Sequence, residues 1–162
     1  MRQLILILTL LLVFAGVLFA QGNVPYALAT KNDLFAELMG PGIFYSVNYS
    51  RNLKKTVSVR AGFGTIHSDF NLPILISKTI LAKGRSWVEL GTGPVLNWEK
   101  HSSGYRVTYL WWAGALYYCH KLEDINVYYR IGLCPIAGRN VSGDPYHPDF
   151  LGWVGVGLGS RF

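Results

Sequence analysis

The sequence predicts an all-β fold, an eight-stranded antiparallel up-and-down barrel, and three observations predict it. Beyond residue 20, eight segments alternate apolar and polar side chains with period two, each closed by turn residues. No apolar run of about 18 residues recurs there, which excludes helical membrane spans. The composition also suits strands that meet lipid on one face: 14% aromatic, 15% charged and 18 Gly among 162 residues. The fold class is therefore a transmembrane β-barrel over residues 21–162, with a cleaved signal peptide over residues 1–20.

The N-terminus reads as an address. Arg2 supplies the positive charge, Leu4 to Ala20 is almost wholly apolar, and Ala20 is the small residue at the cut. Leu18 stands where a smaller residue is usual, and an uncleaved anchor is the competing reading. No Cys follows the cut, so lipoprotein anchoring is not indicated.

The first strand is expected over Leu34–Met39, with Leu34, Ala36 and Leu38 opposite Phe35 and Glu37, before a turn at Pro41-Gly42. The second runs from Ile43 to Ser50, with Tyr45, Val47 and Tyr49 on its apolar face, and ends in the basic turn Arg51 to Lys55. In the third, Val57, Val59, Ala61 and Phe63 oppose Ser58, Arg60, Gly62 and Gly64. The fourth, Leu72–Leu81, is limited by Pro73, which removes a ladder donor and belongs at a strand end.

After the turn Ala82 to Arg85, the fifth strand sets Val88, Leu90 and Thr92 against Glu89, Gly91 and Gly93. The sixth, Tyr105–Tyr118, is long and aromatic, with Trp111 and Trp112 at its centre. A short turn at Leu122 to Asp124 leads to the seventh, where Val127, Tyr129, Ile131 and Leu133 oppose Tyr128, Arg130 and Gly132. The eighth sets Val154, Val156, Leu158 and Phe162 against Gly155, Gly157, Gly159 and Arg161. Links after strands two, four and six are short. Longer ones are expected at Thr65–Asn71, Asn97–Gly104 and Ala137–Asp149, as in outer-membrane barrels with short periplasmic turns.

The polar face collects Glu37, Arg60, Glu89 and Arg130, two charges against two. Inside a narrow barrel they require partners, so Glu–Arg pairs linking strands across the lumen are expected. Eight strands enclose a space that side chains fill, and a wide channel does not follow. Phe35 and Tyr128 are expected to pack over inward glycines. The apolar face fits lipid, with Tyr45, Tyr49, Trp87, Tyr117 and Trp153 as an interfacial girdle. The soluble alternative turns this face inward around a ligand, as lipocalins do, and makes the chain a periplasmic carrier. A terminal strand that stops on Phe162 counts against that alternative.

Leu34-Phe35-Ala36-Glu37-Leu38 followed by Gly42 to Tyr49 resembles the opening hairpin of small outer-membrane barrel proteins common in Bacteroidetes, barrels of the OmpA/OmpX-like kind. Val59 to Gly64, Val88 to Gly93, and Tyr129 to Leu133 followed by Pro135 carry the same likeness. So does the Gly-alternating last strand, whose Phe162 looks like the aromatic signal read by the barrel-assembly machinery. Strand six departs from the pattern, with Trp111-Trp112 and Leu116 where a smaller inward residue is expected. The resemblance implies the cell outer membrane of a Gram-negative bacterium, with membrane lipid and the assembly machinery as partners. Most such relatives have no assigned activity.

The sequence carries little recognisable chemistry. The net charge of +6 could suggest nucleic acid, but the cations fall in scattered turns without a basic helix, so nucleic-acid binding is not expected. Cys119 and Cys134 lack metal-ligand spacing and are not brought opposite each other, so two unpaired thiols are expected. Gly155 to Gly159 lacks the spacing and following helix of a nucleotide loop. His67, His101, His120 and His147 show no paired ligand spacing, and neither metal nor cofactor is expected. Some small outer-membrane barrels act on lipid A through an exterior His and Ser. Here His101 with Ser102 or Ser103, and Glu99 nearby, would be that alternative. The favoured expectation is a non-enzymatic barrel that presents loops, supports the envelope or binds a surface partner. Tyr146 and His147, between two prolines, are its contact candidates.

Overall fold

The computed structural model describes residues 31–66, 69–100, 104, 106–123, 125–139 and 150–162. The segments 1–20 and 21–30, His67, His101, Ser102, Ser103, Tyr146 and His147 lie outside them. Eight strands follow in chain order: β1 (Asn32–Leu38), β2 (Tyr45–Lys54), β3 (Val57–Ile66), β4 (Asp69–Lys83), β5 (Ser86–Lys100), β6 (Arg106–Lys121), β7 (Val127–Arg139) and β8 (Phe150–Arg161). Each pairs antiparallel with its chain neighbours, and β8 returns to β1, so the sheet closes. Phe162 and Asn32 exchange both backbone hydrogen bonds at 3.0 Å and extend that seam. A closed sheet has no edge with unpaired backbone groups.

Period-two alternation sets the faces. On β2, Tyr45, Val47 and Tyr49 are exposed while Ser46, Asn48 and Ser50 are buried. The other strands repeat this arrangement, apolar outward and polar, small or aromatic inward. Two hairpin turns, after β2 and β4, are two residues long, and the β6–β7 turn spans 122–126. These turns make one rim of the barrel, the short-turn rim, where the β1–β8 seam also ends. The links after β1, β3, β5 and β7 make the other. The expected alternation of lengths is only partial, since the β3–β4 link occupies two positions and the β5–β6 link, 101–105, is no longer than the β6–β7 turn.

Three expected strand limits are corrected. The β3–β4 link occupies only residues 67–68, because both strands continue through most of the polar segment expected to loop. Pro73 lies well inside β4 and is buried. The β3–β4 register is interrupted between Ala61–Ile74 and Gly64–Asn71, so the missing N–H falls where the ladder is broken. β5 and β6 reach 15 and 16 residues, leaving a wall much taller than the seven-residue β1.

The β1–β2 loop turns inward. Gly40, Pro41 and Gly42 are buried, and Ile43 packs against Val95, Tyr109, Trp111, Ala113 and Ile136. Met39 and Ile43 have φ of 55° and 69°, a conformation disfavoured for a β-branched residue such as Ile43. Hydrogen bonds from Met39 N to Phe44 O and from Ile43 N to Gly40 O, both 2.8 Å, hold the loop there.

Candidate functional site

The lumen is built in two layers. Nearer the short-turn rim, six inward charges form one alternating chain. Asp33 pairs with Arg161 (2.5 Å), Arg161 with Glu89 (2.9 Å), Glu89 with Arg130 (3.7 Å), and Arg130 with Glu37 (3.7 Å). Glu37 completes the chain with a close ion pair to Arg60. Arg60 Nε donates to Asn48 Oδ1 at 3.0 Å, and Asn48 Nδ2 donates to Ser46 Oγ at 2.9 Å. The network therefore links β8, β5, β7, β3 and β2 to β1. Such a set of buried charges is tolerable only because each charge faces an opposite one.

Aromatic rings interleave with the guanidinium groups. Arg130 lies 3.7 Å from the Tyr117 ring centroid and 4.4 Å from that of Phe35, and Arg161 lies 4.2 Å from that of Trp87. These contacts shield the cations from water while the ring faces attract them. Phe35 and Tyr128 cover Gly159, where a Cβ would lie 2.5 Å from Phe35 Cβ. Nearer the opposite rim the filling is mainly apolar, with Val95, Tyr109, Trp111, Ala113 and Ile136 beside the buried Asn71 and Asn97, topped by the β1–β2 loop. Trp153 Nε1 donates to Gly40 O at 3.2 Å and fastens that loop to β8.

The structure brings Glu37, Arg60, Glu89 and Arg130 into one network and adds Asp33 and Arg161, which the sequence reading left out. The balance is three acids to three arginines. Both added residues carry the right parity: Asp33 shares a face with Phe35 and Glu37, and Arg161 continues the Gly155–Gly159 face.

The expected girdle requires correction. Tyr45 and Tyr49 face outward at 46% and 43% exposure, but Trp87 and Tyr117 are inside at 1% each. Trp153 is half-buried against the lumen's apolar layer. Leu116 in turn is half-buried on the outward side, and Tyr109, Trp111, Ala113, Ala115, Tyr117 and Cys119 are the buried inward residues of β6. The outward aromatics fall in two belts. Tyr49, Tyr118, Tyr129 and Phe162 stand toward the short-turn rim, and Phe44, Tyr45, Phe63 and Trp112 toward the other. Between them Val47, Leu90, Ile131 and Leu158 make an exposed apolar band.

Cys119 and Cys134 are both buried and free, and Tyr117 Oη lies 2.7 Å from Cys134 Sγ. No group of His, Cys, Asp and Glu suited to a metal ion occurs among the described residues. Glu99, the described member of the alternative Ser–His–acid set, accepts a hydrogen bond from Asn97 Nδ2 at 2.7 Å. A Ser–His contact does form elsewhere, between Ser86 Oγ and His120 Nδ1 at 2.8 Å, on the barrel exterior beside the short turns. Its cross-strand register is set by the β5–β6 pairing, which no short sequence spacing reveals. Comparison with protein-family models, curated proteins and solved structures gives no match, so the functional reading rests on the geometry of this barrel.

Proposed function

We propose that the chain is a non-enzymatic integral protein of the cell outer membrane, a plugged barrel that holds surface loops in place. One observation carries the reading: the wall is built inside out relative to a water-soluble barrel. Leu158, Leu38, Val47 and Phe63 are 57–60% exposed, while Glu37, Arg60, Arg130 and Arg161 are 5% exposed or less. In water, an apolar band on nearly every strand would far exceed the patch a soluble monomer tolerates. In a bilayer that band meets acyl chains, and the two aromatic belts meet the interfaces. A lipocalin-like carrier needs the reverse arrangement, an apolar cavity, and here the lumen is filled by side chains and covered by the β1–β2 loop.

The lumen serves as a polar brace that fixes strand register, and the role toward the cell is mechanical support of the envelope or display of a binding loop. The 140–149 link, with Tyr146 and His147, is the proposed contact segment for a surface partner. Phe162, whose backbone continues the β1–β8 seam, is the proposed signal to the assembly machinery. The test is gel mobility before and after boiling, on protein taken from envelopes washed with carbonate. A boiling-dependent shift of a carbonate-resistant band is expected. Release into the soluble periplasmic fraction would refute the reading.

A further inference from the structure

Resting on the membrane reading above, we infer that the short-turn rim carries a binding site for the phosphate of an anionic phospholipid, centred on the cleft between the β4–β5 hairpin and β6. The cleft holds about 300 Å³ and is lined by Leu81, Lys83, Ser86, Val88 and Tyr118, with Ala82 and Trp87 behind. Its donors are arranged already. Ser86 Oγ sits 3.0 Å from Tyr118 Oη and 2.8 Å from His120 Nδ1. With His120 Nδ1–H donating to Ser86 Oγ and one hydroxyl donating to the other, one hydroxyl hydrogen of the Ser86–Tyr118 pair is left to turn toward an anion. Lys83, exposed on the same lip, supplies the positive charge.

The surroundings select the ligand. Above the cleft, whose lining includes the buried Val88, the exposed Leu90 begins the apolar wall, and beside it the rings of Tyr118, His120 and Tyr129 cluster at 5.5–6.5 Å. An amphiphile with its head in the cleft would lay its chains on that wall. Most of the cations outside the lumen network, which look scattered in the sequence, stand on the same rim as the cleft, with Lys100, Arg106 and Arg139 at the other. Arg51, Lys54 and Lys55 crown the β2–β3 hairpin, Arg85 the β4–β5 hairpin, and Lys121 the start of the β6–β7 turn. Glu123 answers Arg85 at 2.5 Å, both largely exposed. Lys121 N donates to Arg85 O at 2.9 Å, which draws the last two turns together. A cationic rim directly beneath an apolar band faces lipid headgroups, and phosphate is the anion that lysine and hydroxyl donors hold well.

The test is native mass spectrometry of the mature barrel, released from mixed micelles containing equal phosphatidylglycerol and phosphatidylcholine with the same acyl chains. Phosphatidylglycerol is expected to be retained about fivefold over phosphatidylcholine, and the Lys83→Gln/Arg85→Gln variant to fall close to parity. Ser86→Ala and Tyr118→Phe should each lower the preference, whereas Lys100→Gln on the opposite rim should leave it intact. Every variant is first checked for the boiling-dependent shift, so a lost preference is read only on a folded barrel. Equal retention of the two lipids by the folded wild type overturns the site and leaves the membrane reading standing. A chain soluble without detergent overturns both. Loss of phosphatidylglycerol to inorganic phosphate, but not to chloride of matched ionic strength, identifies a free-anion site and overturns the lipid assignment.

Discussion

Replacing Glu37 by Gln should be among the most damaging single-atom changes to this barrel. Glu37 is 2% exposed and stands between two guanidinium groups, in close contact with Arg60 and 3.7 Å from Arg130. Gln keeps the volume, so no cavity opens and only the charge is lost. The lumen then holds two acids against three arginines. Removing one partner of a buried pair costs about 3–5 kcal/mol, because the charge left behind is desolvated without compensation. The amide oxygen still accepts one hydrogen bond, which places the expected loss near the lower end, about 3 kcal/mol, or roughly two decades in the folding equilibrium. The assay is urea unfolding of the barrel in lipid vesicles, followed by tryptophan emission and by the unboiled gel band. Adding Arg60→Gln to Glu37→Gln restores the balance to two against two. The double variant should therefore lose less than the sum of the two single losses, by at least about 1 kcal/mol. A single-variant loss under about 1 kcal/mol, or strictly additive losses, would show that the charges do not act as one network.

Three further expectations follow from other parts of the wall. Val47→Arg puts a charge on an outward site that is 57% exposed; in lipid it should cost about 2–4 kcal/mol, in water under about 0.5. Urea midpoints in vesicles read the difference, and a silent substitution there would sink the membrane assignment. Gly93→Ala brings a Cβ to 2.1 Å from Ile74 O, a backbone atom, whereas Gly91→Ala meets Ser77 Oγ, the end of a mobile side chain. The first should lower stability by about 1–3 kcal/mol and the second by clearly less, and equal urea midpoints for the pair would contradict this packing. Cys119 and Cys134 should resist thiol reagents in the folded barrel and give two labelled thiols after boiling in detergent. A single species lacking both labels would mean that the two are bonded to each other.

Much of the architecture was legible because period two carries both strand and face. Once Glu89, Gly91 and Gly93 are assigned inward, parity also sends Trp87 inward, and the small residues Ala113 and Ala115 do the same for Tyr117. Assigning those rings to a girdle weighted residue type above position, and position won because a narrow lumen needs large rings to fill it. Asp33 was missed for a simpler reason: it lies beyond the expected start of the first strand. The β3–β4 link was misjudged because residues such as Asp69 and Asn71 read as loop, although a strand continues readily once a neighbour completes its ladder. Register was the part that local pattern could not supply. The meeting of Ser86 with His120, and the gathering of cations from separate turns on one rim, depend on pairings between distant residues.

The β1–β8 seam has a kinetic consequence. Its two strands stand at opposite ends of the described chain, so the loop between them is as long as the fold allows, and its closure carries the largest entropic cost of any pairing. Seven hairpin pairings can form from near neighbours, but each leaves the growing sheet with two raw edges until the last one joins. β1, the shortest strand, also makes that final ladder. Closure is therefore a race against edge-to-edge association, and a barrel stalled one seam short is the species from which aggregation would start.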